Sequence, residues 1–242
     1  MSVFALSLRS VLRGWRVVAV ALLPVLIGVL AVVLRFTASA DGRFEAYSTL
    51  VGRLLLPLVL ALVCLVLGVN AFGDERDEQT LGLLLTTTVP RWRLAVMKYV
   101  AAALTAWVLC LPATLGCLVL GQATTLPLAS VTLSLLLATL GAAAAYTGAF
   151  LLLSLVFRRA LLIGLAYLVV WERLLAANTT TFKNLSIGSY ASRVGGAPYD
   201  QVPFGVADVS VGVALLLLAV LAAVLLALAC WRLPRTYHSA ST

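Results

Sequence analysis

The sequence has few charged residues, and this shortage excludes most soluble proteins. Only 11% of its 242 residues are charged, against roughly 25% in an average soluble chain. With 63% hydrophobic residues and a mean hydropathy of +1.11, the chain lacks the polar surface that a water-exposed globule needs. It is also too apolar to be an intrinsically disordered protein. The composition therefore indicates a protein whose surroundings are largely lipid.

Residues that could do chemistry are equally scarce. The single histidine, His238, lies near the C-terminus, so no histidines are available as intramembrane haem ligands. Neither an H-E-x-x-H zinc motif nor a G-x-x-x-x-G-K-[ST] phosphate-binding loop occurs. The cysteines lie in apolar stretches and match no metal or redox spacing, so we interpret them as packing residues; they are Cys64, Cys110, Cys117 and Cys230. We expect no catalytic residue, metal site or cofactor on this chain, and no enzymatic activity of its own.

Long apolar runs predict an all-α, polytopic membrane protein with six spans. A helix needs about 20 mainly apolar residues to cross roughly 30 Å of hydrocarbon. The predicted spans cover residues 17–34, 54–72, 99–120, 130–157, 160–177 and 209–231. The fifth has the weakest signal because Glu172 and Arg173 interrupt it. No repeat or linker divides the chain, so residues 1–242 are predicted to form one transmembrane domain.

The basic residues predict the orientation. With the N-terminus inside, the cytoplasmic segments hold eleven Lys and Arg residues and the outer segments hold six, so the positive-inside rule places both termini in the cytoplasm. The net charge of +8 is then explained by residues that flank the spans and face lipid head groups, with no nucleic-acid partner.

Residues 1–16 predict an amphipathic helix that lies on the membrane. At 100° per residue the apolar side chains share one face and the arginines another; the residues are Phe4, Leu8, Val11, Leu12 and Trp15 on the first face, and Arg9, Arg13 and Arg16 on the second. Arginines facing anionic head groups and an interfacial tryptophan are typical of such a helix. The alternative is that these residues are only the charged flank of the first span.

The loop over residues 73–98 is the most informative segment. Four acidic residues between Asp74 and Glu78 close the second span, and Thr80 can then cap a short helix whose N-terminus the acids favour. Its apolar face consists of Leu81, Leu84 and Leu85. Leucines exposed on a cytoplasmic loop are unfavourable in water, so this helix requires either a protein partner or burial against the bilayer. Pro90 ends it, and Arg91, Trp92, Arg93 and Lys98 are predicted to be interfacial anchors that lead into the third span.

This loop resembles the signature of permease subunits in type-2 ABC exporters. The resemblance lies in Glu75, Arg76, Glu78, Thr80, Leu81, Leu83, Leu84, Leu85, Thr86, Thr87, Val89, Arg91 and Lys98. Weaker similarities are Trp171-Glu172, Leu185-Ser186-Ile187 and Tyr190. The sequence departs from the family pattern at Gln79, Gly82 and Pro90.

The resemblance implies a division of labour between chains. A second permease, identical or similar, would complete the pathway, and two copies of a cytoplasmic ATP-binding subunit would hold ATP and Mg. The helix in the 73–98 loop would be a coupling helix seated in those subunits. The residues so implied in docking are Glu75, Glu78, Thr80, Leu81, Leu84, Leu85, Thr86 and Arg91.

Glu172 and the segment after it each allow two interpretations. At 1.5 Å per residue Glu172 lies roughly 18 Å along a helix that starts at Ala160, a depth at which a carboxyl group usually faces the bundle interior or water. It is either a polar contact in the pathway or at a dimer interface, or, as we favour, a residue in a water-filled outer vestibule where the span ends early. Residues 178–208 form either short helices that re-enter the outer leaflet, as the resemblance implies, or a plain outer loop.

Small residues in the fourth span predict close helix packing. Their spacing is of the small-x-x-x-small type, and the residues are Gly141, Ala144, Ala145, Gly148 and Ala149.

Together these observations predict the transmembrane subunit of an ATP-driven exporter for an amphipathic or hydrophobic substrate such as a drug, antibiotic or lipid, in a cell membrane and of bacterial origin. The alternatives are an ATP-independent transporter, or a membrane scaffold or sensor that recruits a cytoplasmic protein.

Overall fold

A computed structural model describes residues 15–77, 91–121, 128–157, 159–175, 184, 186–198 and 209–232. In chain order the helices are α1 (Trp15–Thr37), α2 (Ala40–Thr49), π1 (Leu50–Leu60), α3 (Ala61–Asp77), α4 (Arg91–Gly121), α5 (Leu128–Val156), α6 (Ala160–Tyr167), π2 (Leu168–Leu175), α7 (Ile187–Gly195) and α8 (Val211–Arg232). No strand occurs in these ranges, which confirms the all-α class.

Five of the helical stretches are long and apolar enough to cross a membrane. They are Ala19–Thr37, Gly42–Ala71, Trp92–Gly121, Leu128–Val156 and Val211–Arg232. The predicted fifth span corresponds to a shorter apolar helix, Ala160–Glu172. The polytopic character is confirmed, whereas the count of six remains a prediction.

Two helix boundaries differ from the sequence prediction. The helical stretch that contains the second candidate span begins at Ala40 and runs through α2, π1 and α3, whereas the predicted span starts at residue 54. Charged Arg43, Glu45 and Arg53 ended the apolar run in the sequence, yet charged residues form helices readily. Helix α4 begins at Arg91, ahead of the predicted start at residue 99, for the same reason.

Helix α5 occupies the centre of the bundle. It packs against α3, α4, α7 and α8, and its buried positions include Tyr146 and Phe150. The predicted small-residue positions lie at these contacts: a Cβ at Gly141 would meet Leu218 of α8 at 3.3 Å, and one at Gly148 would meet Leu225 at 3.2 Å. Three of the four predicted packing cysteines, Cys64, Cys110 and Cys117, are buried, and Cys230 is half-buried.

The peripheral helices α1 and α8 present apolar side chains outward. Only 17% of the most apolar stretch of α1 and 22% of that of α8 are buried within the protein. Exposed side chains on α1 include Leu22, Leu26 and Val29. Such a surface is unfavourable in water and suits contact with lipid.

The short helices follow α5 in the opposite direction. Along α6 and π2, Tyr167 contacts the Phe150 ring, with ring centroids 6.3 Å apart, and Glu172 contacts Tyr146. Along α7, a Cβ at Gly188 would lie 3.1 Å from Tyr146 Oη, and one at Gly195 would lie 3.5 Å from Ala138 Cβ. Helix α7 therefore starts at the level of Tyr146, where π2 has brought Glu172, and continues in the direction that α6 set.

Two sequence predictions lie outside the described ranges. The interfacial helix over residues 1–16 falls almost wholly before Trp15, and the coupling helix that follows Thr80 falls within residues 78–90. Both stay predictions.

Candidate functional site: a buried carboxylate at the start of α7

Glu172 lies in the interior of the bundle. It belongs to π2, and only 4% of its surface is exposed. The favoured interpretation from sequence, in which the residue reaches a water-filled vestibule, is therefore wrong for this chain. The apolar run does shorten at Glu172, but α5 and the later α7 cover its side chain, and the sequence before Glu172 contains no sign of that cover.

The carboxylate of Glu172 accepts hydrogen bonds from four donors. Tyr146 Oη donates to Oε1 at 3.0 Å and Tyr167 Oη donates to the same oxygen at 3.5 Å. Ser186 Oγ donates to Oε2 at 2.5 Å, and the backbone N–H of Gly188 donates to Oε1 at 3.5 Å. A carboxylate offers about four acceptor sites, two on each oxygen; here Oε1 has three donors, two of them at 3.5 Å, and Oε2 has one. Unpaired, it would be costly to bury.

The N-terminus of α7 is built to receive this carboxylate. Ser186 is the N-cap, and its Oγ accepts the N–H of Ser189 at 3.2 Å while donating its proton to Glu172. The absence of a side chain at Gly188 allows the approach, since a Cβ there would lie 2.8 Å from Pro57 Cβ and 2.9 Å from Glu172 Oε2. The helix dipole also favours a negative charge at this end.

The arrangement is suited to binding and positioning. The donors are three side-chain hydroxyl groups and one backbone N–H. Within the described ranges, no group of three His, Cys, Asp or Glu residues could hold a metal ion. The carboxylate joins three parts of the chain, namely π2, α5 and α7.

Lys98 occupies a different position from the one its sequence suggested. It was predicted to anchor at the membrane surface, but only 6% of its surface is exposed, and Nζ donates to the carbonyl of Ala71 at 2.6 Å. The prediction was wrong because a lysine at a span boundary can turn inward when a neighbouring helix supplies a carbonyl oxygen. Trp92 and Arg93 are exposed, as interfacial anchors would be.

The sequence-predicted docking residues are not brought together by the described structure. The backbone of Glu75 belongs to α3 and that of Arg91 starts α4. The remaining docking residues lie outside the described ranges; they are Glu78, Thr80, Leu81, Leu84, Leu85 and Thr86.

Four partners of Glu172 had no predicted role at a site. Ser186 belongs only to the weaker family similarity, and the sequence assigns no role to Tyr146, Tyr167 or Gly188. Two signals are present in the sequence. Ser186 precedes an apolar residue, as an N-cap does, and Tyr146 places a phenol hydroxyl in a segment of mostly small residues, where such a group normally finds a partner when it is buried. The pairing itself depends on the fold.

The helices and their apolar outer surface define a multi-pass membrane protein. Residues 12–184 match the family described as ABC-2 family transporter protein. The chain belongs to this family, which confirms the resemblance seen in the 73–98 loop and makes the chain a transmembrane subunit of an ABC transporter. Permeases of this family generally work with a cytoplasmic ATP-binding subunit. No match is found among curated proteins.

Proposed function

We propose that the protein is the permease subunit of an ATP-driven exporter, paired with a second permease that is identical or similar. The observation that carries this proposal is the family match over residues 12–184. The apolar outer surface and the loop between α3 and α4 support it, since that loop contains the coupling-helix signature.

The substrate is proposed to be amphipathic or hydrophobic, in the class of drugs, antibiotics and lipids. Most buried polar residues of the described ranges are neutral serines and threonines, and the charged ones are Lys98 and Glu172. A pathway through such an interior offers little solvation to a hydrophilic ion. ATP and Mg are held by two copies of the separate ATP-binding subunit.

The predicted coupling helix is proposed as the site where that subunit binds. Its leucines would fill an apolar cleft on the partner, with the acids and Thr80 at its N-terminus. Nucleotide-driven closure of the two ATP-binding subunits would then move α3 and α4, which flank the loop.

A paired substitution in the loop tests this function. Leu84 and Leu85 are replaced by aspartate in a tagged full-length chain, which is purified from native membranes in mild detergent. We expect wild-type protein to co-purify with ATPase activity and the double variant to lose it while still reaching the membrane, because two charges would enter an apolar interface.

The matched control is the double substitution Gly82→Asp and Leu83→Asp. It adds the same charge to the same loop, but at 100° per residue Leu83 faces away from the predicted apolar face. Retained ATPase activity in the Leu84 and Leu85 variant would remove this helix from the interface. An absence of ATPase activity in the wild-type preparation would favour an ATP-independent transporter or a scaffold.

A further inference from the structure

We propose that Glu172 is a positioning residue whose carboxylate holds α7 in place as the outer part of a discontinuous fifth crossing. The positioning role follows from the contacts between π2, α5 and α7 alone. It rests on the proposed function only in that the fifth crossing is taken to be part of a permease.

The two short helical segments together cover the length of a crossing that neither covers alone. Helices α6 and π2 comprise 16 residues, at most about 24 Å of helix, which is less than the roughly 30 Å of hydrocarbon. They follow α5 from Leu153, whose Cδ2 lies 3.4 Å from the Cβ position of Gly164, to Tyr146, which Glu172 contacts. Helix α7 continues from Tyr146 to Ala138 in the same direction.

Helix α7 does not have the sequence of a self-sufficient helix. Its nine residues, IGSYASRVG, include two glycines and two serines, which are poor helix formers. An isolated helix of this length is unstable in water, and its moderate hydrophobicity gives it little affinity for hydrocarbon. Its position therefore depends on specific contacts with the rest of the bundle.

Those contacts lie at both ends and along one side. At the N-terminus Ser186 and Gly188 donate to Glu172. Along the side, Gly188 packs against Pro57 of π1 and Ser192 Oγ donates to the carbonyl of Gly52 at 3.4 Å. At the other end Arg193 Nε donates to the carbonyl of Val209, just before α8, at 2.9 Å.

A charged group takes part at each end of α7: the Arg193 guanidinium is the donor at the C-terminal end, and the Glu172 carboxylate is the acceptor at the N-terminal end. A hydrogen bond to an ionised acceptor is roughly twice as strong as one between neutral groups, and Glu172 is the acidic side chain that the described part of the chain places against α7. Both segments that hold this half of α7 are π-helical, a rare conformation that often occurs at functional sites. If π2 converted to an α-helix, the change of register would rotate Glu172 away from Ser186.

Hydrogen exchange tests the positioning role without a transport assay. The full-length protein is purified in detergent, with its ATP-binding partner where that co-purifies, and amide exchange is followed in peptides from α7 and α5. In Glu172→Gln, which keeps the length and one acceptor oxygen, we expect exchange in residues 187–195 to rise by at least about tenfold, since a hydrogen bond to a charged group is lost.

The effect should be local and graded. Exchange in the α5 peptides should not change. The rise in α7 exchange should be larger in Glu172→Leu, which keeps the side-chain volume but has no acceptor, than in Glu172→Gln. The matched control is Glu45→Gln, because Glu45 is exposed on α2 and its loss should leave α7 unaffected. If Glu172→Leu fails to fold, Glu172→Gln alone decides the question.

Two results would overturn the proposal. One is unchanged α7 exchange in Glu172→Gln; the other is an equal rise in α5 and α7, which would assign Glu172 a general stabilising role only. Co-purified ATPase activity is measured on the same samples, so a failure here is distinguishable from a failure of the proposed exporter function.

Discussion

At the scale of single residues, the site combines a buried carboxylate with donors from distant parts of the chain. Tyr146 comes from α5 and Ser186 from the residue before α7, on either side of Glu172 in the sequence. Because neighbouring residues in a helix do not share a face, the sequence already indicated that the partners of Glu172 must come from elsewhere than Arg173. It could not indicate which, since hydroxyl donors have no distinctive spacing.

The two tyrosines should differ in their contribution to stability. Tyr146 is fully buried and its hydroxyl lies 3.0 Å from Glu172 Oε1, so Tyr146→Phe should lower the free energy of unfolding by about 1.5–3 kcal/mol, as for a hydrogen bond to a charged group. Tyr167 is only partly buried and its hydroxyl lies 3.5 Å away, at the limit of hydrogen bonding. Tyr167→Phe should therefore cost less.

Thermal unfolding of the purified protein in detergent measures both variants. Tyr167→Phe is a close control, since each substitution removes one hydroxyl and keeps the ring. Equal midpoints for the two variants would show that Tyr146 does not make the stronger bond.

At the scale of elements, hydropathy located helices with long uninterrupted apolar runs and failed where charged or small polar residues interrupt the run. The runs predicted as spans 17–34, 130–157 and 209–231 lie on helices α1, α5 and α8, and as membrane boundaries they stay predictions. The first part of the second crossing was missed because its charges ended the run. For α7 the sequence left a plain loop open, and the structure shows this alternative to be wrong for residues 187–195, which form a buried helix.

Helices α1 and α4 approach each other so closely at Gly28 and Gly116 that the backbone of one helix occupies the Cβ position of the other. A Cβ at Gly28 would lie 2.5 Å from the carbonyl oxygen of Pro112, and one at Gly116 would lie 2.6 Å from Gly28 Cα. Both obstacles are backbone atoms, so a side chain cannot be accommodated by a change of rotamer. The sequence prediction found small residues in the fourth span and overlooked this pair, because Gly28 and Gly116 belong to different spans.

Adding a methyl group at this crossing should separate the helices. Gly28→Ala and Gly116→Ala should each lower stability by about 1–3 kcal/mol, the usual cost of overpacking. Gly212→Ala on α8 is the control, since nothing lies within 4 Å of its Cβ position and alanine favours a helix by up to about 1 kcal/mol. The thermal midpoint in detergent is the measurement, and a Gly28→Ala variant as stable as Gly212→Ala would disprove the close crossing.

At the scale of the whole molecule, the fold class and family were predictable and the interior was not. Composition alone placed the chain in lipid, and the 73–98 loop placed it in the family later matched over residues 12–184. Neither reveals that Glu172 and Lys98 turn inward, because inward rotation is decided by neighbouring helices. In a sequence, a charged residue at a span end has the same appearance whether it faces water or a buried carbonyl.

The number of crossings decides where the termini lie. If α6, π2 and α7 together cross the membrane, Phe157 and Ala197 lie on opposite sides and both termini are cytoplasmic; with only the five long crossings these residues share a side. Cysteines are introduced singly at Phe157 and Ala197, which are both exposed, in a full-length chain whose native cysteines are alanine. We expect a membrane-impermeant maleimide to label Ala197→Cys in intact cells and Phe157→Cys only after permeabilisation.

A Thr242→Cys chain provides the control for the C-terminus, which should behave like Phe157→Cys because α8 returns the chain to the cytoplasm. Labelling of Phe157→Cys and Ala197→Cys from the same side would show that the segment between them does not cross, and would place the two termini on opposite sides.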